Sequence, residues 1–137
     1  MTTPGPKLPG PDHPIAVTRN PRRVRVRFQN HVIADSDATL VLREADYAPA
    51  IYFPREDVET SFLTRTARRS TCPYKGEASY YSLMMDGDLI ENAAWSYEAP
   101  HSATSEISEM LAFYPDKVEV YELDETERPD PRRGEFI

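Results

Sequence analysis

Two short stretches hold most of the side chains in this 137-residue chain whose types and spacing could do chemistry. Ser70-Thr71-Cys72-Pro73-Tyr74-Lys75-Gly76-Glu77-Ala78 sets a nucleophile candidate, a cation and an aromatic ring beside two backbone markers, Pro73 and Gly76. Asn92-Ala93-Ala94-Trp95-Ser96-Tyr97-Glu98 repeats the mixture of aromatic body and polar tip. If a hairpin brings both onto one wall, they would line an aromatic pocket with a few convergent polar groups, the usual form of a small-molecule site. The same residues would also serve as a core Trp and Tyr cluster next to a Pro-Gly turn, with Lys75 in solvent. On residue types alone the core-cluster reading is the favoured one.

Other site chemistries lack their residues. A structural zinc site needs CxxC pairs or His/Cys clusters, whereas Cys72 is the single cysteine and His13, His31 and His101 are scattered. A carboxylate-rich site could draw on Glu56, Asp57, Asp86 or Asp88, but Asp86 and Asp88 belong to a turn signal. Five glycines leave no Walker loop and no GxGxxG. No serine sits in a nucleophile-elbow context, and His13 falls in a proline-rich leader. The expectation is no metal and no cofactor.

Charge is unevenly distributed. The formal net charge is −7, with +3 over residues 1–69 and −10 over residues 70–137. Arg19, Arg22, Arg23, Arg25 and Arg27 fall within nine residues, which raises the question of phosphate or nucleic acid. An acidic balance with pI near 5.0 and three lysines disfavours nucleic acid. The arginines then read as the solvated face of a strand near a sheet edge, where charge discourages aggregation. The opposing acids would meet this strand within the fold or across a homodimer contact.

The elements that must position these groups are mostly strands. Arg23-Val24-Arg25-Val26-Arg27-Phe28 alternates with period two, Gln29-Asn30 marks a turn, and His31-Val32-Ile33-Ala34 comes next. Thr39-Leu40-Val41-Leu42 and Ala50-Ile51-Tyr52-Phe53 read as strands, with Pro54-Arg55-Glu56-Asp57 opening one helical turn. Asp86-Gly87 between two alternating runs is a strong hairpin signal, its first arm beginning at Ser79 and its second continuing through Tyr97. Ile107, Met110 and Leu111 at i, i+3 and i+4 predict one helix, capped at Ser102 or Thr104 and ending near Phe113-Tyr114. Lys117-Val118-Glu119-Val120-Tyr121 closes the pattern. About seven short strands and one late helix make a mainly β, antiparallel domain over residues 15–123. Residues 1–14 form a proline-rich leader, extended or disordered, and residues 124–137 a charged tail.

The length suits one core. No apolar run approaches the ~20 residues of a membrane span, and the start Met-Thr-Thr-Pro-Gly-Pro has no signal-type apolar region. Together with the lone cysteine, this points to a cytoplasmic protein with no membrane partner.

Four ordered stretches carry a family resemblance over roughly residues 20–122: Tyr52-Phe53-Pro54-Arg55-Glu56-Asp57-Val58, the run from Ser70 to Tyr81, Glu91 to Glu98, and Leu111-Ala112-Phe113-Tyr114-Pro115. The sequence resembles the bacterial and fungal domain-of-unknown-function family 427, whose profile also bears a nucleotidyltransferase-like label. The resemblance implies a small β-tent-like domain, mainly β, in which two antiparallel sheets meet at an angle, with one short C-terminal helix. The cysteine pairs that hold zinc in some β-tent proteins are missing here, so no zinc is carried over. Also missing is a Gly-Ser helix start followed by paired Asp at strand spacing, which two-metal nucleotidyl transfer would use.

Carried over by position, the resemblance marks Arg55, Glu56, Asp57, Cys72, Tyr74, Lys75, Tyr80, Trp95, Tyr97 and Glu98 as the pocket lining. Tyr74, Trp95 and Tyr97 would supply stacking faces. Lys75 or Arg55 would hold a small polar or anionic molecule, and Glu56 or Asp57 would orient it or accept a proton. If chemistry occurs, the candidates are Cys72, Lys75 and Asp57, with Lys75 favouring a Cys72 thiolate. The rival function is a non-catalytic module that docks peptides or proteins through exposed β edges and the aromatic wall.

Overall fold

The computed structural model describes residues 6–123; the expected tail and the first five leader residues lie outside them. Among the described residues ten strands form: β1 (Ile15–Arg19), β2 (Val24–Phe28), β3 (His31–Ser36), β4 (Leu40–Glu44), β5 (Ala50–Phe53), β6 (Leu63–Cys72), β7 (Gly76–Met85), β8 (Asp88–Ser96), β9 (Leu111–Phe113) and β10 (Glu119–Glu122). They make two sheets, a seven-stranded one in the order β1-β4-β5-β9-β8-β7-β6 and a three-stranded one in the order β10-β2-β3. Every pairing between strands is antiparallel. The mainly β reading with two antiparallel sheets therefore holds, and a short helix does precede the C-terminal strands.

The two strongest turn signals behave as their chemistry requires. Asp86 and Gly87 both take positive φ (53° and 83°) between β7 and β8. Gln29 and Asn30 do the same between β2 and β3 (49° and 69°). Two successive positive-φ residues give the twist that matches antiparallel arms.

The arginine strand departs from its expected place. β2 lies in the middle of the three-stranded sheet, between β10 and β3, not at an edge. Arg23 Nε donates to Asp35 Oδ1 at 2.6 Å, buried, and Arg25 Nη2 lies 3.1 Å from Asp35 Oδ2. Arg27 pairs with Glu119 at 3.1 Å in a more exposed position. Carboxylates on the flanking strands β3 and β10 thus answer the cationic face, which is buried at Arg23 and opens to solvent toward Arg27.

The expected helix also divides. A 3-10 helix covers Ser102–Ile107, with a non-helical Thr104 inside it, and Leu111–Phe113 is strand β9. Period-3.6 spacing of Ile107, Met110 and Leu111 cannot tell a helical stripe from a short apolar strand, and here tertiary pairing of β9 between β5 and β8 decides. Leu111, Ala112 and Phe113 are all buried, as a central strand with both faces covered demands.

Two apolar clusters result, and strand alternation places them on opposite faces of the large sheet. One, holding Val24, Val26, Ile33, Phe53, Leu83, Leu111 and Phe113, joins the two sheets. The other holds Leu42, Tyr52, Ala78, Tyr80, Tyr97, Ile107 and Ala112, with Trp95, Tyr114 and Cys72 packed against it.

Candidate functional site

Strand register builds the second cluster. Tyr52 on β5 faces Ala112 on β9, Ala112 faces Trp95 on β8, and Trp95 faces Tyr80 on β7. Residues directly opposite one another point to the same face, so three aromatic residues and one alanine form a row across four strands. The small Ala112 leaves room for its neighbours to meet over it. Trp95 Nε1 donates to the Tyr52 hydroxyl at 3.1 Å, with the rings edge to face at 6.2 Å. Trp95 also packs at 4.5 Å on Tyr114.

A bulge makes this row possible. The β7–β8 register shifts between Tyr81 and Leu83, and Asn92 takes a positive φ of 51°. The Asn92 amide is held by Ser82 Oγ at 3.0 Å, and its side-chain carbonyl accepts from Thr66 Oγ1 at 2.7 Å. An extra residue in one strand re-aims the side chains beyond it: Ala93 and Ala94 both enter the inter-sheet core, and Trp95 turns to the opposite face.

The polar end of the site comes from residues far apart in sequence. Leu40, Leu42 and Glu44 share one face of β4 by period two, which carries the Glu44 carboxylate to the buried end of the row. Lys75, in the turn from β6 to β7, gives its ammonium to Glu44 Oε1. His13 Nε2 donates to Glu44 Oε2 at 2.8 Å. In a flat sheet β4 and β7 would lie roughly 19 Å apart, four strand spacings. The Lys75–Glu44 contact therefore requires the sheet to curl around the second cluster.

The leader supplies His13 through a small turn. Gly10 and His13 exchange backbone hydrogen bonds of 3.3 and 2.9 Å, Pro14 accepts from Ala45 N at 2.8 Å, and Lys7 N donates to Pro73 O at 2.9 Å. The His13 ring then stacks on Tyr74 at 3.9 Å, nearly parallel. Gly76, at φ +113°, ends the Pro73-Tyr74-Lys75 turn in a conformation that suits glycine. His101 N holds this turn from the other side by donating to Lys75 O at 2.9 Å.

Around these groups lies a cavity of about 470 Å³, with Glu44, Tyr52, Lys75, Tyr80, Trp95, Tyr97 and Tyr114 in its lining together with Leu42, Ala50, Phe113 and Val120. Burial pushes the Glu44 carboxyl upward, but the hydrogen bonds from Lys75 and His13 outweigh it and leave it below the usual carboxylate range. Burial raises the Tyr52 and Tyr97 hydroxyls well above an ordinary phenol. Tyr114 is pushed up to about 12 by burial and by the Tyr80 hydroxyl beside it. These three phenols are thus neutral hydrogen-bonding groups near neutral pH. Lys75 also stands 5.6 Å from the centre of the Tyr97 ring.

A profile for "Domain of unknown function (DUF427)" matches residues 16–124. The chain belongs to this family. No curated protein matches the chain. The family match spans all but the leader part of the site, since His13 precedes it.

The ten residues marked from sequence divide among three places. Lys75, Tyr80, Trp95 and Tyr97 line the cavity. Tyr74 stacks on His13 at the side of it, and Cys72 packs into the same apolar cluster. Among the described residues no hydrogen bond joins Cys72 to Lys75, whose ammonium is on Glu44. Arg55 and Glu98 form a separate network: Glu98 accepts from Tyr81 at 2.6 Å and Ser79 at 2.8 Å and pairs with Arg65 at 2.7 Å. Arg55 bonds to Glu109 O and Ser96 there and lies over the Tyr81 ring. Ser79 and Tyr81 flank Tyr80 on β7, so this network occupies the other face of the strand. Burial pushes Glu98 upward, yet these donors and the two arginines leave it below its ordinary value. Asp57 accepts from Ser36 Oγ at 2.7 Å, and Glu56 is exposed.

Sequence reasoning passed over Glu44, Tyr52 and His13. Glu44 carried a usable signal, a carboxylate two residues beyond Leu42 on an apolar stripe; Tyr52 carried only its place in a family motif. His13 had none, because nothing in a proline-rich leader says where it will dock.

Proposed function

We propose that this chain is a small-molecule-binding domain whose ligand occupies the aromatic cavity beside the second cluster, which reaches as far as Phe113 and Val120 of the inter-sheet side. The observation that carries this reading is the Glu44–Lys75 pair, its carboxylate buried and its ammonium partly so, with His13, at the end of an otherwise aromatic and apolar hollow. A buried ion pair is a poor stabiliser, since well-packed apolar residues of similar volume often do as well or better. Its place beside open space fits a polar anchor for a bound molecule. A volume of about 470 Å³ falls within the size of ordinary ligand pockets. Neutral tyrosine hydroxyls and the Trp95 indole give the walls both stacking faces and hydrogen-bonding tips.

The docking alternative would use exposed β edges, of which β6 is one of the two outer strands of the large sheet. Its register breaks between Arg65 and Arg69, and it carries three arginines, both of which protect an edge from pairing. The cavity is therefore the better supported site.

Filling the hollow tests the proposal. Small aromatic fragments should raise the melting temperature of the wild-type protein, because a ligand of the folded state stabilises it. Ala50→Trp, placed in the cavity lining, should unfold cooperatively and lose that rise. A well-folded Ala50→Trp protein with an undiminished rise would move the site elsewhere.

A further inference from the structure

The charged group at the mouth of a cavity decides which charge its ligand carries. The cations first expected to hold an anion are already engaged. Lys75 faces Glu44, and Arg55 lies in the Glu98 network with Arg65. The second arginine of β6 is different. Arg68 is exposed and, among the described residues, has no carboxylate within ion-pair distance. Its guanidinium lies 4.5 Å from the centre of the Tyr80 ring. It also acts electrostatically on the Tyr114 hydroxyl. Tyr80 and Tyr114 each line the cavity.

A guanidinium over a ring face keeps its N–H donors at its edges, free for two-pronged contact with a carboxylate or phosphate. Trp95 packs against Tyr114 and pairs in register with Tyr80. We infer that the cavity selects planar aromatic molecules bearing a carboxylate or phosphate, the ring lying among Tyr80, Trp95 and Tyr114 and the anion meeting Arg68. This inference rests on the cavity being a binding site and goes further by naming the ligand class and the residue that sets it.

Neighbouring charges sharpen the placement. Lys117 lies over Tyr114 but donates to the carbonyls of Glu91 and Asn92. Asp116 also acts on Tyr114, and Glu91 shares with Arg68 a second cleft of about 260 Å³. An anion entering past Asp116 or Glu91 meets like charge, and the Lys117 ammonium is turned to backbone carbonyls, so the exposed Arg68 guanidinium over Tyr80 is its contact.

Trp95, the only tryptophan, reports on the site directly. Its fluorescence is titrated with phenyl phosphate, phenylacetate, neutral phenylacetamide and aliphatic propionate, for wild type and Arg68→Gln. The two aromatic anions should give saturable changes, the better of them showing whether phosphate or carboxylate is preferred. Arg68→Gln should weaken both about tenfold, the scale of one charge-assisted contact. Raising salt should weaken them in wild type and leave phenylacetamide unchanged. Phenylacetamide binding as tightly as phenylacetate, with no effect of Arg68→Gln, would overturn the anion assignment and leave the cavity intact. Propionate binding as tightly as phenylacetate would overturn the aromatic half. No saturable change with any aromatic probe would overturn the cavity reading as well.

Discussion

At the residue scale, Glu44 and Lys75 set the character of the site. Glu44 is buried and Lys75 partly buried, and each is answered chiefly by the other, with His13 as the second partner of Glu44. Removing Lys75 leaves an under-compensated buried carboxylate. Lys75→Met should therefore lower the free energy of unfolding by about 3–5 kcal/mol in urea titrations. The Glu44→Gln/Lys75→Met pair should lose much less than the sum of its single changes; simple additivity would show that the two do not interact. The pH dependence has a definite sign. A carboxylate held below its ordinary range contributes stability that is present above that range and lost as pH falls through its folded value. Melting temperature should fall between about pH 5 and 3, more steeply in wild type than in Glu44→Gln, with Glu98 adding to both. Equal slopes would show that the Glu44 carboxylate does not stabilise the fold. Lys75 and Trp95 are legible from type and spacing. Glu44 is not, because a carboxylate ending an apolar strand resembles any strand end until its partner arrives from across the sheet.

At the element scale, legibility depends on whether local chemistry alone decides the structure. The Asp86-Gly87 hairpin and the β2–β3 turn are readable because backbone conformation at two residues fixes them. β6 gives little signal: an outer strand with mostly exposed, polar side chains has no apolar alternation to read. β9 reads as the end of a helix because three residues are too few to show a period. The hidden element and the readable hairpin meet at Gly76, which closes the β6–β7 turn that presents Lys75. At φ +113° an alanine there is strained, while its Cβ would make only ordinary contacts at 3.5 Å with the chain at residues 99–101. Gly76→Ala should cost about 1–3 kcal/mol in urea unfolding. Gly10→Ala, without that conformational demand, should cost far less. Equal costs would mean the turn does not depend on its backbone geometry.

At the scale of the whole molecule, the arginine cluster finds partners inside the fold. The arginine-rich strand is flanked by Asp35 and Glu119, so its charge is met within the smaller sheet. Among the described residues no helix is long and apolar enough to cross a membrane. The larger sheet packs one face against the smaller sheet and gathers aromatic residues on the other, with a hollow that also reaches Phe113 and Val120. That division is invisible in the sequence, where both faces supply apolar residues; only the register of Tyr52, Ala112, Trp95 and Tyr80 separates them. The most direct test of a ligand site in the hollow is amide chemical-shift mapping of the full chain with a library of small aromatic molecules. Saturable shifts should gather on Leu42, Glu44, Lys75, Tyr80, Trp95, Tyr97 and Tyr114. Shifts confined to β6, or no saturable shift at all, would contradict a binding site in the cavity.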